Sequence, residues 1–267
     1  MYTLASKNKY GESCLKRGKA KNMNRLIVAC CAVAVLAALP SFAQQKPYVV
    51  TSQGEKVRGS EIEADAAGNI RLQTDQGEVT YQSGQYKRAF QPKPEQVGKV
   101  VNFFKSEEYD KVIKYAPQVM EKYKYLGWGD MLAYLQGMAL VKKGKPKDAL
   151  QVIRRGEDFV QRYGDRLMKA KALALQKQGD TSEALKILNR LIEEGDSETA
   201  AFAFNTKGRI KAQNGEQKEA VLEYLKTVML FKPSEVGQTR EQAKQRAVQL
   251  LEEMGDPRAA KIRKLGK

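Results

Sequence analysis

Small residues recur along most of this chain at a fixed internal spacing. In each copy a small residue is followed by glycine seven positions later and by alanine five positions after that. The three clear copies of this triplet are Gly137/Gly144/Ala149, Ala172/Gly179/Ala184 and Gly208/Gly215/Ala220. Two degenerate copies flank them, Val100/Glu107/Val112 before and Val248/Gly255/Ala260 after, and successive copies are 35 to 40 residues apart. A period of this length predicts an array of similar units, each of which buries its apolar face against its neighbours.

The spacing within the triplet indicates a pair of antiparallel helices. A small side chain in each helix lets the two helices approach closely, and the central glycine supplies the left-handed residue between them. At these triplets the sequence resembles the tetratricopeptide repeat family. The resemblance implies a mainly α fold, a tetratricopeptide-type helical-hairpin solenoid over residues 92–267. About five units are expected, at 95–128, 130–163, 165–196, 201–233 and 238–267.

The first of these units differs from the others. Pro117 lies where its second helix is expected, and a proline inside a helix should bend or break it. The same stretch is rich in aromatic residues at helical spacing, namely Tyr109, Tyr115, Tyr123, Tyr125 and Trp128. Aromatic residues in such a pattern belong to a core more often than to a ligand site. We expect this group to pack against the segment that precedes the helices.

That preceding segment, residues 44–91, has the pattern of a small antiparallel β module. Short runs such as Ile70–Thr74 alternate between apolar and polar residues, and Gly and Asn separate them. Alternation with such turn residues predicts four or five strands, arranged as an SH3-like barrel or a meander. A module of this size is near the lower limit for independent stability, so we expect packing against the helices to stabilise it.

The first 43 residues have the features of an N-terminal extension with a secretory signal peptide. Arg25 is followed by an apolar run, Leu26–Leu39, and a small-x-small motif then predicts cleavage after Ala43. The run is shorter than the roughly 20 residues that span a bilayer, so a membrane anchor is the weaker alternative. A lipid attached to Cys30, which would tether the protein to a membrane, is another alternative. Translation is expected to start at Met23, because residues 1–22 would be an unusually long lead-in.

The composition excludes several kinds of active site. Histidine is absent from the chain, and all three cysteines lie within the first 43 residues. The exported chain therefore lacks the ligands of a Cys/His zinc site and the residues of a His- or Cys-based catalytic triad. We expect a protein that is not an enzyme and that needs no cofactor. A peptidoglycan-cleaving enzyme with a single glutamate is the alternative, with Glu193–Glu194 or Glu252–Glu253 as candidates.

The family resemblance also implies a binding surface. The first helix of each unit lines the inner wall of such an array, and alignment on the small residues carries the inward-facing positions of the family onto three units. They are Met131, Tyr134, Met138 and Val141, then Arg166, Lys169, Leu173 and Lys177, then Phe202, Asn205 and Arg209. Apolar residues of one unit would face basic residues of the next, which suits a peptide with an acidic segment or a free carboxylate. The alternative is an ordinary solvated basic face.

These features predict a non-enzymatic protein–protein interaction scaffold of a bacterial cell envelope, periplasmic or secreted. Its partner would be a protein or peptide, bound in the groove of the solenoid. The exported chain has 40 basic and 30 acidic residues, a formal charge of +10. A basic module that binds an acidic polymer or peptidoglycan is therefore the alternative, and its binding should fall steeply with salt. The export signal disfavours a nucleic acid partner, and the oligomeric state stays open.

Overall fold

The computed structural model describes residues 45–265 of the chain. This part is mainly helical, with a small antiparallel β region at its N-terminal end, as the sequence predicts. The predicted export signal in residues 1–43 lies outside the described residues. Among the helices of residues 45–265, none combines the length and the apolar character that crossing a bilayer requires.

The β region has six strands, one or two more than the alternation predicts. They are β1 (Tyr48–Thr51), β2 (Lys56–Arg58), β3 (Glu61–Ala64), β4 (Ile70–Thr74), β5 (Gly77–Tyr81) and β6 (Tyr86–Phe90). All pairings are antiparallel, with β1 between β2 and β6 in one sheet and β4 between β3 and β5 in the other. The strands that sequence reasoning missed are β2, which has only three residues, and β6, in which adjacent Lys87 and Arg88 obscure the alternation.

The helices follow one another in antiparallel pairs joined by short turns. They are α1 (Glu95–Lys105), α2 (Tyr109–Tyr123), α3 (Gly129–Lys142), α4 (Pro146–Glu157), α5 (Gly164–Gln178), α6 (Thr181–Glu194), α7 (Ser197–Gln213), α8 (Gln217–Leu230), α9 (Pro233–Glu253) and α10 (Arg258–Arg263). Each helix packs against the next, and each odd-numbered helix also contacts the next odd-numbered one. The even-numbered helices contact one another little or not at all. The odd-numbered helices therefore form a continuous row.

The repeated small residues occupy the positions for which the triplet predicts them. The central glycines have positive φ at the turns between paired helices, with values of 72° for Gly144, 94° for Gly179, 81° for Gly215 and 68° for Gly255. A Cβ atom at Gly137 would lie 2.8 Å from the Ile153 side chain, and one at Gly208 would lie 2.7 Å from the Tyr224 ring. Since neither distance leaves room for a methyl group, these glycines set how closely paired helices approach.

Pro117 lies inside a helix, so the break, one of the two effects that the sequence predicts, does not occur. α2 runs without interruption from Tyr109 to Tyr123 and contains Pro117. The proline lies on the exposed side of the helix. Water can therefore solvate the carbonyl group that loses its N–H partner, and the cost of the proline stays small enough for packing of the helix to overcome it.

The β region and the first helices share one hydrophobic core. Fully buried side chains of β4 and of α1 belong to a cluster of contacting residues that reaches Ala174 in α5. At the junction the Trp128 indole N–H donates to the Gln91 carbonyl oxygen at 2.9 Å, and its ring centroid lies 6.2 Å from that of Phe90. The prediction that the aromatic stretch packs against the β region is confirmed for Trp128. Tyr115, by contrast, is 47% exposed.

Glu107 occupies the glycine position of the first, degenerate triplet and has a left-handed backbone conformation. It is the one non-glycine residue with positive φ, 57°, within residues 45–265. A left-handed residue with a Cβ costs about 1–2 kcal/mol, so Glu107→Gly is expected to stabilise the chain by about 1 kcal/mol and to raise its Tm by about 2–4 °C. Thermal unfolding followed by circular dichroism measures this shift. The matched reverse change, Gly179→Glu, should lower Tm; a Glu107→Gly chain that melts no higher than wild type would contradict the prediction.

Candidate functional site

The predicted binding residues lie on three neighbouring odd-numbered helices. Met131, Tyr134, Met138 and Val141 are on α3, Arg166, Lys169, Leu173 and Lys177 on α5, and Phe202, Asn205 and Arg209 on α7. Val141 is only 7% exposed and belongs to the shared core, so it cannot line a binding surface. The other ten residues are partly or fully exposed. We call these ten the odd-helix face.

Contacts join α3, α5 and α7 across this face. Burial raises the pKa of the Tyr134 hydroxyl on α3, and the charge of Arg166 on α5 partly opposes that shift. The Lys169 ammonium lies 5.6 Å from the ring centroid of Phe202 on α7, a cation–π contact. Basic side chains of α5 therefore lie near aromatic side chains of α3 and α7 on this face.

Two carboxylates also lie at this face, and sequence reasoning missed them. Asp196 caps the N-terminus of α7 and accepts the backbone N–H of Thr199 at 2.8 Å. Its hydrogen bonds with Thr199 hold the pKa of Asp196 below the usual value, and the charge of Lys169 adds to this effect. Glu198 follows in the first turn of α7 and raises the pKa of Tyr134. The face is thus mixed in sign rather than a purely cationic stripe.

An open cavity of about 370 Å³ lies between the start of α5 and the start of α7. Its lining includes Arg166 and Lys169 on one side and Asp196 and Glu198 on the other. Such a cavity can hold polar groups of either sign, for example the backbone and side chains of a peptide.

Asn205 is engaged within the protein. Its Nδ2 donates to the Thr239 carbonyl oxygen at 2.9 Å, and its Oδ1 accepts the Thr227 hydroxyl at 3.0 Å. These bonds tie α7 to α8 and α9. We therefore assign Asn205 a structural role.

Arg209 is also held by the protein. Its guanidinium donates to Gln176 Oε1 at 2.8 Å, and the Gln176 amide donates in turn to Gln213 Oε1 at 2.8 Å. Burial lowers the pKa of Arg209, and the nearby charge of Arg246 lowers it further. The accessible cations of the face are therefore Arg166, Lys169 and Lys177.

A buried carboxylate orders the loop that leads to the face. Asp130, in the first turn of α3, is 0% exposed. Its Oδ2 accepts the backbone N–H groups of Gln161, Arg162 and Tyr163 at 2.9, 2.8 and 2.8 Å, and its Oδ1 accepts that of Met131 at 2.8 Å. Backbone donors thus stabilise a charge that burial alone would make costly. The sequence carries no local signal for this role, because three of the donors lie 31 to 33 residues away.

The loop that Asp130 orders places the guanidinium group of Arg162 near aromatic rings at the edge of the β region. The Arg162 guanidinium carbon lies 5.0 Å from the Phe90 ring centroid and 5.7 Å from that of Trp128. Arg166 follows at 5.3 Å from the ring of Tyr163. Arg162 thus lies against the β region, and Arg166, four residues later, belongs to the odd-helix face.

Within residues 45–265, no group of three or more His, Cys, Asp or Glu side chains is placed to hold a metal ion. The Glu193–Glu194 and Glu252–Glu253 pairs lie at the C-terminal ends of α6 and α9. Each pair includes an ion-paired member: Glu194 with Arg190, and Glu252 with Arg263.

Comparison with known proteins adds no assignment: no protein-family model matches the chain, and no curated protein matches it.

Proposed function

We propose that this chain is a non-enzymatic protein–protein interaction scaffold of the bacterial cell envelope, built as a tetratricopeptide-type solenoid with an SH3-like β module. Its partner is a protein or peptide segment, bound at the odd-helix face. The export signal of the sequence is the basis for the envelope location.

The packing of the helices supports a solenoid. Paired helices with a left-handed glycine between them repeat along the chain. Continuous contact among odd-numbered helices, with the even-numbered ones farther apart, is what a curved array with the odd-numbered helices inside requires. A groove of this kind suits an extended chain better than a small substrate.

The observation that carries the binding proposal is the joint placement of Tyr134, Arg166, Lys169 and Phe202. They come from three helices, are at least partly exposed and combine aromatic surface with accessible positive charge. Aromatic and arginine side chains contribute the largest binding energies in protein interfaces. The neighbouring carboxylates Asp196 and Glu198 can accept hydrogen bonds from the backbone of a bound segment.

One surface favours the alternative, binding of an acidic polymer. Four lysines are exposed within six residues in and beside the turn between α3 and α4, namely Lys142, Lys143, Lys145 and Lys147. One of them, Lys143, pairs with Asp110 at 2.9 Å. Lys145 and Lys147 lie at the start of α4, whereas Arg166 and Lys169 lie on α5, so the two proposals can be separated by substitution.

Matched double substitutions test the proposal. The chain from residue 44 onward, immobilised and incubated with envelope extract, is expected to retain a discrete protein after a high-salt wash. Arg166→Gln with Lys169→Gln should reduce the retained amount about tenfold or more, because the pair supplies accessible charge at the face. Lys145→Gln with Lys147→Gln removes the same charge from the turn and should leave retention unchanged, with Tm of both variants near wild type.

Equal losses from both double variants, or a ligand that consists only of polydisperse acidic polymer released by salt, would contradict the scaffold proposal and favour the polymer-binding alternative.

A further inference from the structure

The most exposed large apolar side chains of residues 45–265 lie on one helix. Leu222, Met229 and Leu230 on α8 are 60%, 68% and 65% exposed, and Leu225 between them is partly exposed. Residues 222, 225 and 229 are spaced so that they share a face of the helix. Exposed apolar clusters of this kind mark contact sites on soluble proteins. We call these four residues the α8 patch.

The charges of α8 indicate what kind of surface covers the patch. The helix carries Lys218 and Lys226 together with Glu219 and Glu223, so it is neutral within a chain of strong positive charge. An anionic bilayer or an acidic polymer would be attracted by a surplus of cations around the apolar residues, and α8 has none. Two copies of a basic chain, however, repel each other least where their surfaces are neutral.

The order of these charges along α8 is self-complementary. Glu219 lies in the first half of the helix, and Lys226, which pairs with Glu223 of the same helix at 2.9 Å, lies in the second half. If two α8 helices lie antiparallel across a twofold axis near Leu222, Glu219 of each copy lies opposite Lys226 of the other. Symmetry makes this attraction occur twice, and a parallel arrangement would place like charges together.

A groove beside the patch can receive side chains from a second copy. It is a cavity of about 260 Å³ between α8, α9 and α10, and its wall includes Leu225, Leu251, Met254 and Ile262. Lys218, in the first turn of α8, also lines it. In the antiparallel arrangement, Met229 at the end of one α8 lies near the start of the other α8, where this groove begins.

We propose that the α8 patch is the interface of a symmetric homodimer in which two α8 helices pack antiparallel. The apolar side chains supply the contact, and the Glu219–Lys226 pairs select the antiparallel orientation. The interface leaves the odd-helix face of each copy accessible, so a dimer would present two binding faces. The proposal does not depend on the function of that face.

Charge exchange tests both the interface and its orientation. Sedimentation velocity of the chain from residue 44 onward should show a concentration-dependent dimer. Glu219→Lys and Lys226→Glu should each weaken dimerisation about tenfold or more, because each variant places like charges opposite one another twice. An equimolar mixture of the two variants should dimerise as well as wild type, since both facing pairs are then attractive. The matched control Lys147→Glu, on α4, should leave the dimer unchanged.

A second variant separates loss of the interface from loss of folding. Leu222→Asp with Met229→Asp should be monomeric, alone and in any mixture, with an unchanged Tm because both positions are exposed. A wild-type chain that stays monomeric at every concentration tested would overturn the proposal. So would a mixture of the charge variants that dimerises no better than either alone, or wild-type chain that binds anionic vesicles through these residues instead of self-associating.

Discussion

Replacing Asp130 by alanine is expected to destabilise the chain by about 3–4 kcal/mol, because the backbone N–H groups that its carboxylate accepts lose their partner together. Three of these donors belong to consecutive residues, Gln161, Arg162 and Tyr163. A hydrogen bond to a charged group contributes about 1.5–3 kcal/mol, and orphaned donors add a desolvation cost. Urea unfolding of the chain from residue 44 onward measures the loss as a lower midpoint.

Two substitutions control this experiment. Asp130→Asn keeps an acceptor for the loop but removes the charge, so about half of the loss is expected. Asp75→Ala, in the exposed turn between β4 and β5, should change stability by less than about 0.5 kcal/mol. A loss as small as this from Asp130→Ala would mean that the buried carboxylate does not hold the loop.

Replacing Trp128 by alanine is expected to cost about 3–5 kcal/mol, the range for removal of a buried aromatic side chain. The indole is 4% exposed, lies at the junction of the β region and the helices, and donates to Gln91. Trp128→Phe should keep most of the packing and lose about 1–2 kcal/mol, since the Gln91 carbonyl oxygen loses its donor. Tyr115→Ala, at a half-exposed ring, should cost less than about 1 kcal/mol.

The same tryptophan reports whether the β region and the helices unfold together. It is the single tryptophan of the chain, so its fluorescence follows the junction while far-ultraviolet circular dichroism follows the helices. A shared core predicts coincident urea transitions for the two signals. Separate transitions, or a small loss from Trp128→Ala, would contradict the shared core and indicate that the β region folds independently.

Local spacing made the helix pairs predictable from the sequence. Gly137 allows two paired helices to approach closely, and Gly144, seven residues later, allows the chain to turn between them; the other copies repeat this pattern. Both features depend on residues that are near one another along the chain. The sequence could not decide between a bend and a break at Pro117, because the cost of a proline depends on whether its side of the helix is buried. That information comes from tertiary packing.

The candidate site was less predictable. Alignment put the candidate residues on three helices that contact one another in order, but it could not show that Asn205 bonds with Thr239 or that Arg209 bonds with Gln176. It could not show that Val141 belongs to the core. The partners of these side chains come from other helices, so a single sequence leaves them undetermined. Asp130 was missed for the same reason.

Site-specific crosslinking at the odd-helix face tests the scaffold proposal most directly. A photoreactive residue in place of Met138, on that face, should crosslink in envelope extract to one discrete protein, and the product should disappear when Arg166→Gln and Lys169→Gln are added. The same group in place of Arg190, exposed on α6, should give no such product. Crosslinks of equal yield from both positions, or none to protein from Met138, would contradict the proposal that this face binds a protein partner.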